Sequence, residues 1–283
     1  MRNFVVPVDF SAESLNGLKM AMLFSQKEQV CIQMIYVLHK TSDSEKTAME
    51  TEIQVAENNF KNLVKEFMPQ LGNDSTLSYV ITKGRIYNEV VHQAELNPDS
   101  IITASTHGAS GFQELFIGSN AFRIISATDR PVITLRKSAC PLTIERIVMP
   151  IDLSVDSSQK VPFTTEIAKL FGAEIHVVGV QTSRGLISRR KLRSYVSQVS
   201  GFVEASVPCV TNEVSGDNVA EMVVNYANAV KADMISITTE KSSGLSLIIG
   251  NTAHQILNKA EIPVLCHTPR SIRKSGTFVT TGG

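Results

Sequence analysis

Hydrophobic positions along this chain fall into short apolar runs separated by stretches with helical spacing. Residues 4–8 are one such run, ended by Asp9, Phe10 and Ser11, the pattern of a buried strand feeding a helix. Ser11 is placed to cap that helix, in which Leu15, Leu18, Met22 and Leu23 recur at helical spacing. Residues 31–38 read as a second strand. Residues 45–68 predict a long amphipathic helix with Ile53, Phe60, Leu63, Val64 and Phe67 on its apolar side, stopped at Pro69. A third strand at 77–81 alternates, as strands near a sheet edge do. Gly84 then opens a short helix carrying Ile86, Val90, Val91 and Ala94. A fourth strand at 100–104, a helix at 119–128 and a fifth strand at 131–135 complete the set.

The same series is then written again. Residues 2–11 return at 146–154, where Asp9 maps onto Asp152, 143 positions on. Pro131 maps onto Pro263 and Gly84 onto Gly216, each 132 positions on. Strands are expected near 146–150, 174–180, 207–213, 233–238 and 263–267. Each half is long enough for its own core, so the repeat is a duplicated domain and not a solenoid module. Short apolar strands alternating with helices predict an α/β class, with a parallel sheet covered by helices on both faces. The expected division is a first domain at 1–138, a second at 144–270, and a tail at 271–283 too poor in apolar residues to pack.

Composition narrows the function classes. Lys plus Arg and Asp plus Glu each total 27 among 283 residues, so no global field draws the protein to nucleic acid or acidic membranes. No apolar run reaches the ~20 residues of a membrane span. The first residues hold no basic segment followed by an apolar one, which points to the cytoplasm. Cys31, Cys140, Cys209 and Cys266 lack metal-site or redox spacing and read as reduced thiols. There is no Walker A sequence, dinucleotide fingerprint or nucleophile elbow.

Candidate chemistry gathers after the fourth strand of the first half. Ser105, Thr106, His107 and Gly108 are followed, nine residues on, by Gly118, Ser119 and Asn120 at the start of a helix. In an open parallel sheet, ligands sit beyond the carboxyl ends of strands where strand order reverses. Small residues let the backbone approach a ligand, and the helix opened at Gly118 offers free N–H groups to a phosphate. An ordinary strand-to-helix connection would use the same residue types.

With Pro7, Val8, Asp9 and Ser11 after strand one, this loop resembles the universal stress protein family. That family is marked by Pro-x-Asp-x-Ser and by Gly-x2-Gly-x9-Gly-Ser/Thr after strand four. Ser105 stands at the first glycine position here, Gly108 at the second, and Gly118 with Ser119 at the end. The resemblance covers residues 2–269 and implies a tandem member: two doubly wound domains, each a five-stranded parallel sheet of order 3-2-1-4-5. It implies ATP or AMP as ligand, with Pro7, Val8, Asp9 and Val37 lining the adenosine side. Ser105, Thr106, Gly108, Gly118, Ser119 and Asn120 would hold ribose and phosphates. Ser105 departs from the family glycine and adds a Cβ and a hydroxyl, which can bond a phosphate or crowd the ribose. Asp9 is open to two readings, a hydrogen-bond acceptor for adenosine and backbone, or a ligand of Mg²⁺ through water.

In the second half the corresponding stretch is Thr238, Thr239, Glu240, Lys241, Ser242, Ser243 and Gly244, then Gly250, Asn251 and Thr252. Either Glu240 falls at the phosphate seat or the loop is two residues short, so this cradle is expected to be damaged. Pro150, Asp152 and Ser154 remain, which helix-start chemistry alone explains. His107 has no partner nucleophile or orienting acid, so a dedicated enzyme is not expected, and slow ATP hydrolysis is the only activity left open. The remaining histidines show no metal pattern. Arg184, Arg189, Arg190, Lys191 and Arg193 read as a solvated helix face, with an acidic docking partner as the alternative.

Together these readings give a cytoplasmic ATP- or AMP-binding stress-response sensor or regulator, its nucleotide held mainly by the first domain. The alternative is a structural or interaction module of the same fold that binds no nucleotide. Family members pair through their fifth strands, so the two halves are expected to form a dimer-like pair within one chain. A protein partner and further association between chains are left open.

Overall fold

The computed structural model describes residues 1–38, 46–72, 74–106, 119–136, 140–154, 156–181, 186–239 and 250–269. In the first half, strands β1 (Arg2–Pro7), β2 (Val30–Leu38), β3 (Thr76–Lys83), β4 (Ser100–Ser105) and β5 (Val132–Leu135) alternate with helices. These are α1 (Ser14–Ser25), α2 (Lys46–Phe67), α3 (Ile86–Glu95) and α4 (Ser119–Ala127). The second half repeats the series with β6 (Arg146–Ile151), β7 (Glu174–Gln181), β8 (Cys209–Ser215), β9 (Met234–Thr238) and β10 (Val264–His267). Its helices are α5 (Val161–Phe171), α6 (Leu186–Glu204), α7 (Val219–Ala229) and α8 (Asn251–Lys259).

All ten strands join one sheet of order β3-β2-β1-β4-β5-β10-β9-β6-β7-β8. Read from each edge inward to the seam, each half has the expected order 3-2-1-4-5, with parallel pairing throughout. At the seam β5 and β10 run antiparallel, Ile133 opposite Leu265. The fifth strands therefore pair within one chain, and the carboxyl ends of the two sets of strands point to opposite ends of the sheet. Pairing at the seam also leaves only β3 and β8 as sheet edges.

Alternation along each strand divides the core into two layers. Phe4, Val6 and Val8 face a layer formed with α1, α2, α5 and α6, and Val5 faces one formed with α3, α4, α7 and α8. Both layers cross the seam, so the two halves share their cores. Ile133 and Leu265, each fully buried, anchor the first layer there, and Val132, Val264 and Cys266 the second. Fully burying a Leu or Ile side chain stabilises by about 1.5–3 kcal/mol. On one face Phe24 meets Phe171 edge-on at 4.9 Å, and Arg2 bridges Glu28 and Glu166. On the other, Phe122 packs edge-on against His254 at 5.4 Å.

Element boundaries shift slightly from the expectations. Strand β8 spans Cys209–Ser215 and not 207–213, because the ladder takes up only the Pro208 carbonyl, which accepts from Ile175 N at 2.9 Å. Helix α1 starts at Ser14, three residues past Ser11. The Ser11 hydroxyl still accepts from Ser14 N at 3.1 Å, as a cap does. The tail at 271–283 lies outside the described residues.

Candidate functional site

Strands β1 and β4 are paired only through Asn3–Val5 and Ser100–Ile102, and β6 and β9 only through Ile147–Val148 and Met234–Ile235. Beyond those pairs the strands part. Each half thus opens a crevice at the carboxyl ends of its first and fourth strands, where strand order reverses.

In the first half the crevice gathers most of the expected residues. Pro7 ends β1, and the next residue, Val8, is buried and donates its N–H to Ile35 O at 2.9 Å. Val37 lies two residues beyond Ile35 on β2 and is buried. Asp9 is exposed, and its Oδ1 accepts from Ser11 N at 3.0 Å and Ser11 Oγ at 2.5 Å. Asp9 N in turn donates to Ser14 Oγ at 3.3 Å. These bonds close the turn into α1, so that carboxylate oxygen is engaged by protein. Ser105 ends β4, and Thr106 is buried, its N–H donated to Leu135 O at 2.8 Å. Ser119 and Asn120 stand exposed in the first turn of α4. Gly108, Gly118 and His107 lie outside the described residues.

The second half reproduces this turn atom for atom. Asp152 Oδ1 accepts from Ser154 N at 2.9 Å and Ser154 Oγ at 2.6 Å, and Asp152 N donates to Ser157 Oγ at 3.1 Å. Thr239 N donates to His267 O at 2.9 Å, matching Thr106 and Leu135. Here the crevice forms a cavity of about 270 Å³. It is lined by Pro150, Ile151, Asp152, Val180, Thr238, Thr239, Gly250 and Thr252, the counterparts of Pro7, Val8, Asp9, Val37, Ser105, Thr106, Gly118 and Asn120. The expected damage to this cradle rests on Glu240 or on the length of the loop, and residues 240–249 lie outside the described residues. What the described walls show is a formed crevice.

Two residues distinguish the halves. Phe10 takes a left-handed backbone, φ 64°, at a cost of roughly 1–2 kcal/mol. Its ring is held by Tyr36 at 5.1 Å and Phe60 at 4.9 Å. Tyr36 itself donates to Glu52 at 2.9 Å, and burial together with that carboxylate pushes its phenol up to about 12. The counterpart Leu153 is half-exposed. The second difference is Lys160, 143 positions on from Gly17. A Cβ on Gly17 would lie 2.7 Å from Thr103 O, so α1 lies directly on β4. Lys160 is buried between α5 and β9, with Nζ donating to Ser157 O at 2.7 Å and lying 3.4 Å from Thr238 Oγ1. Burial lowers its ammonium to about 7, with Asp152 pulling the other way. Pattern reading passed over Lys160. The signal was available in the offset, since the lysine falls where the first repeat has glycine.

Other candidates resolve simply. Arg189, Arg190, Lys191 and Arg193 are exposed while Leu192 and Val196 face the core, so this is a solvated helix face; Arg184 lies outside the described residues. No group of three metal-binding side chains occurs among the described residues. A Mg²⁺ ion would therefore depend on nucleotide phosphates for most of its ligands. The four cysteines are free thiols, and burial pushes Cys140 up to about 12 and Cys209 up to about 11, which favours the less nucleophilic protonated form at these two. No described helix is long and apolar enough to cross a membrane.

Comparison with known proteins agrees with the duplication. The profile of the Universal stress protein family matches residues 1–136 and again 143–267. A universal stress protein from Archaeoglobus fulgidus superposes with a TM-score of 0.76 at 17% identity, covering 94% of this chain and 98% of that one. A putative universal stress protein from Pseudomonas aeruginosa gives a TM-score of 0.65 at 17% identity, covering 95% and 94%. No curated protein matches by sequence. With the profile matched once in each half, the chain belongs to the universal stress protein family.

Proposed function

We propose that this protein is an ATP- or AMP-binding stress-response sensor or regulator of the cytoplasm. The observation that carries this reading is the crevice between β1 and β4. There the Pro7–Asp9 turn and the end of β4 at Ser105–Thr106 flank the strand-order reversal, and α4 follows from Ser119. Nucleotide is held mainly by the N-terminal half. Pro7, Val8 and Val37 form the apolar wall for the base, and Asp9 accepts from the adenosine. Ser105, Thr106, Ser119 and Asn120, with Gly108 and Gly118 from the family motif, supply amides and hydroxyls to ribose and phosphates.

We take the C-terminal crevice as the poorer seat for a polyanion because of its loop, where Glu240 falls at the phosphate seat of the family motif or the loop is two residues short. A bound nucleotide would tie the β1 turn to the β4–α4 connection, and that change of surface is what a protein partner would read. Ser11 holds Asp9 Oδ1, which fixes the carboxylate in the turn that follows β1.

Equilibrium titration of the full chain with ATP and with AMP tests the reading, one nucleotide per chain being expected. Gly118→Asp places an anion at the phosphate seat and should weaken binding at least roughly a hundredfold. Parental affinity in that variant would make the site assignment wrong. Adenine nucleotide extracted from freshly purified protein further supports the reading, whereas its absence together with a flat titration leaves an interaction module.

A further inference from the structure

Lys160 is a lysine with 2% exposure whose side chain nevertheless reaches the wall of a cavity. Its Nζ donates to Ser157 O at 2.7 Å and lies 3.3 Å from Ser157 Oγ and 3.4 Å from Thr238 Oγ1. Two features of this position disfavour the ammonium form. One is burial. The other is that Lys160 immediately precedes the 11-residue helix α5, whose amino end carries positive dipole charge. Among the residues lining the cavity, the opposing charges are Asp152 after β6 and Asp156 in the following turn. Strand β9 and helix α8 present only hydroxyls and apolar groups there. The balance puts the ammonium at about 7, so a large share of the side chain is free amine at neutral pH.

A desolvated free amine on a cavity wall is a nucleophile toward carbonyl carbon. The rest of the cavity selects what could meet it. Val180, Ile237 and Ile256 offer an apolar wall, which suits an uncharged ligand. About 270 Å³ admits a small organic molecule. We propose that the C-terminal cavity is a covalent site for small uncharged aldehydes and ketones, held as an imine on Lys160 Nζ. The Nζ lone pair forms the C–N bond as the carbonyl π pair moves to oxygen. That oxygen takes the proton released by nitrogen, through the Ser157 or Thr238 hydroxyl. Loss of water then gives the imine, so no oxidant or reductant is needed. A protonated imine would have Asp152 as its counter-charge. The N-terminal crevice has no equivalent, because Gly17 occupies this position and has no room for a side chain.

The test uses the full-length protein at pH 7 with propanal and cyanoborohydride, which reduces an imine to a stable amine. Modified peptides are followed over time by mass spectrometry. Lys160 is expected to label at least roughly tenfold faster than the exposed Lys61. A far larger share of its amine is free at that pH than the roughly one part in several thousand of an ordinary lysine, although burial and lower basicity offset part of the gain. The preference should shrink as pH approaches 10 and vanish in urea. Labelling of Lys160 no faster than Lys61, or a preference that persists in urea, overturns the proposal. Lys160→Met should lose the fast phase; should that variant misfold, the internal comparison with Lys61 decides by itself. Neither result bears on nucleotide in the N-terminal crevice.

Discussion

The two halves share a strand order and an Asp–Ser turn, yet they differ where the first helix meets the fourth strand. In the N-terminal half Gly17 lets α1 lie against the Thr103 carbonyl, and Phe10 pins the preceding turn into an aromatic cluster. In the C-terminal half Lys160 and the half-exposed Leu153 hold those places. The helix α5 begins at Val161, four positions later in the repeat than Ser14, and a cavity stands beside it. One position, glycine or lysine, separates a closed helix–strand contact from a gap filled by a polar side chain. Duplication kept the backbone plan and released the second crevice to different chemistry.

Exchanging the residues at that position should give the largest effect. Gly17→Lys drives a side chain into backbone 2.7 Å away and should cost at least ~3 kcal/mol, read as a fall in the denaturant midpoint. The reverse site behaves oppositely. The ammonium of Lys160 is lowered to about 7 in the fold from its ordinary 10.5, so the unfolded chain binds more protons between those values. The cost of burying it is therefore full below pH 7 and fades as pH rises toward 10. Lys160→Met should raise the melting temperature at pH 7, and this advantage should shrink by pH 10. A gain that does not change with pH would separate Lys160 from the charge argument.

A second exchange concerns the turn. Phe10→Ala should cost about 2 kcal/mol, less than full loss of a buried Phe because the Phe10 ring is only partly buried, while the Cβ that Ala keeps leaves the left-handed strain in place. Leu153→Ala should cost under ~0.5 kcal/mol, as exposed positions do. Equal costs at the two sites would mean that the aromatic cluster does not anchor the first turn.

The smallest effect is a difference of sign. Thr103 Oγ1 is buried without a hydrogen-bond partner among the described residues, whereas its counterpart Ser236 lies 2.7 Å from Thr164 Oγ1. Thr103→Val should stabilise by up to ~1 kcal/mol by removing an unsatisfied group. Ser236→Ala should destabilise by ~0.5–1 kcal/mol, because Thr164 Oγ1 loses one of its two bonds and keeps the one it donates to Lys160 O at 2.8 Å. Thermal unfolding of both variants at one pH makes the comparison.

Much of the fold was legible in the chain. The period-two and helical patterns located every strand and the long helix α2, because one dry face per element leaves a regular trace. Boundaries at β8 and α1 moved by two or three residues, where Pro208 contributes only its carbonyl and Ser11 caps from outside the helix. Pro7, Asp9, Ser105 and Ser119 could be proposed as site residues from sequence because each motif sits at the end of a readable element. Lys160 was not. A lysine at the start of a helix reads as solvent-exposed, and its burial depends on how far α5 stands from β9, residues more than seventy positions away.

The sequence by itself determined two α/β domains, their strand content and the turn chemistry at Asp9 and Asp152, since periodicity and local hydrogen bonding act over a few residues. Only the tertiary structure decided that both cores run through the β5–β10 seam, that the two crevices open at opposite ends of the sheet, and that one of them holds a buried amine. Those features arise from distances between elements remote in the chain, and no local pattern of residues records such distances.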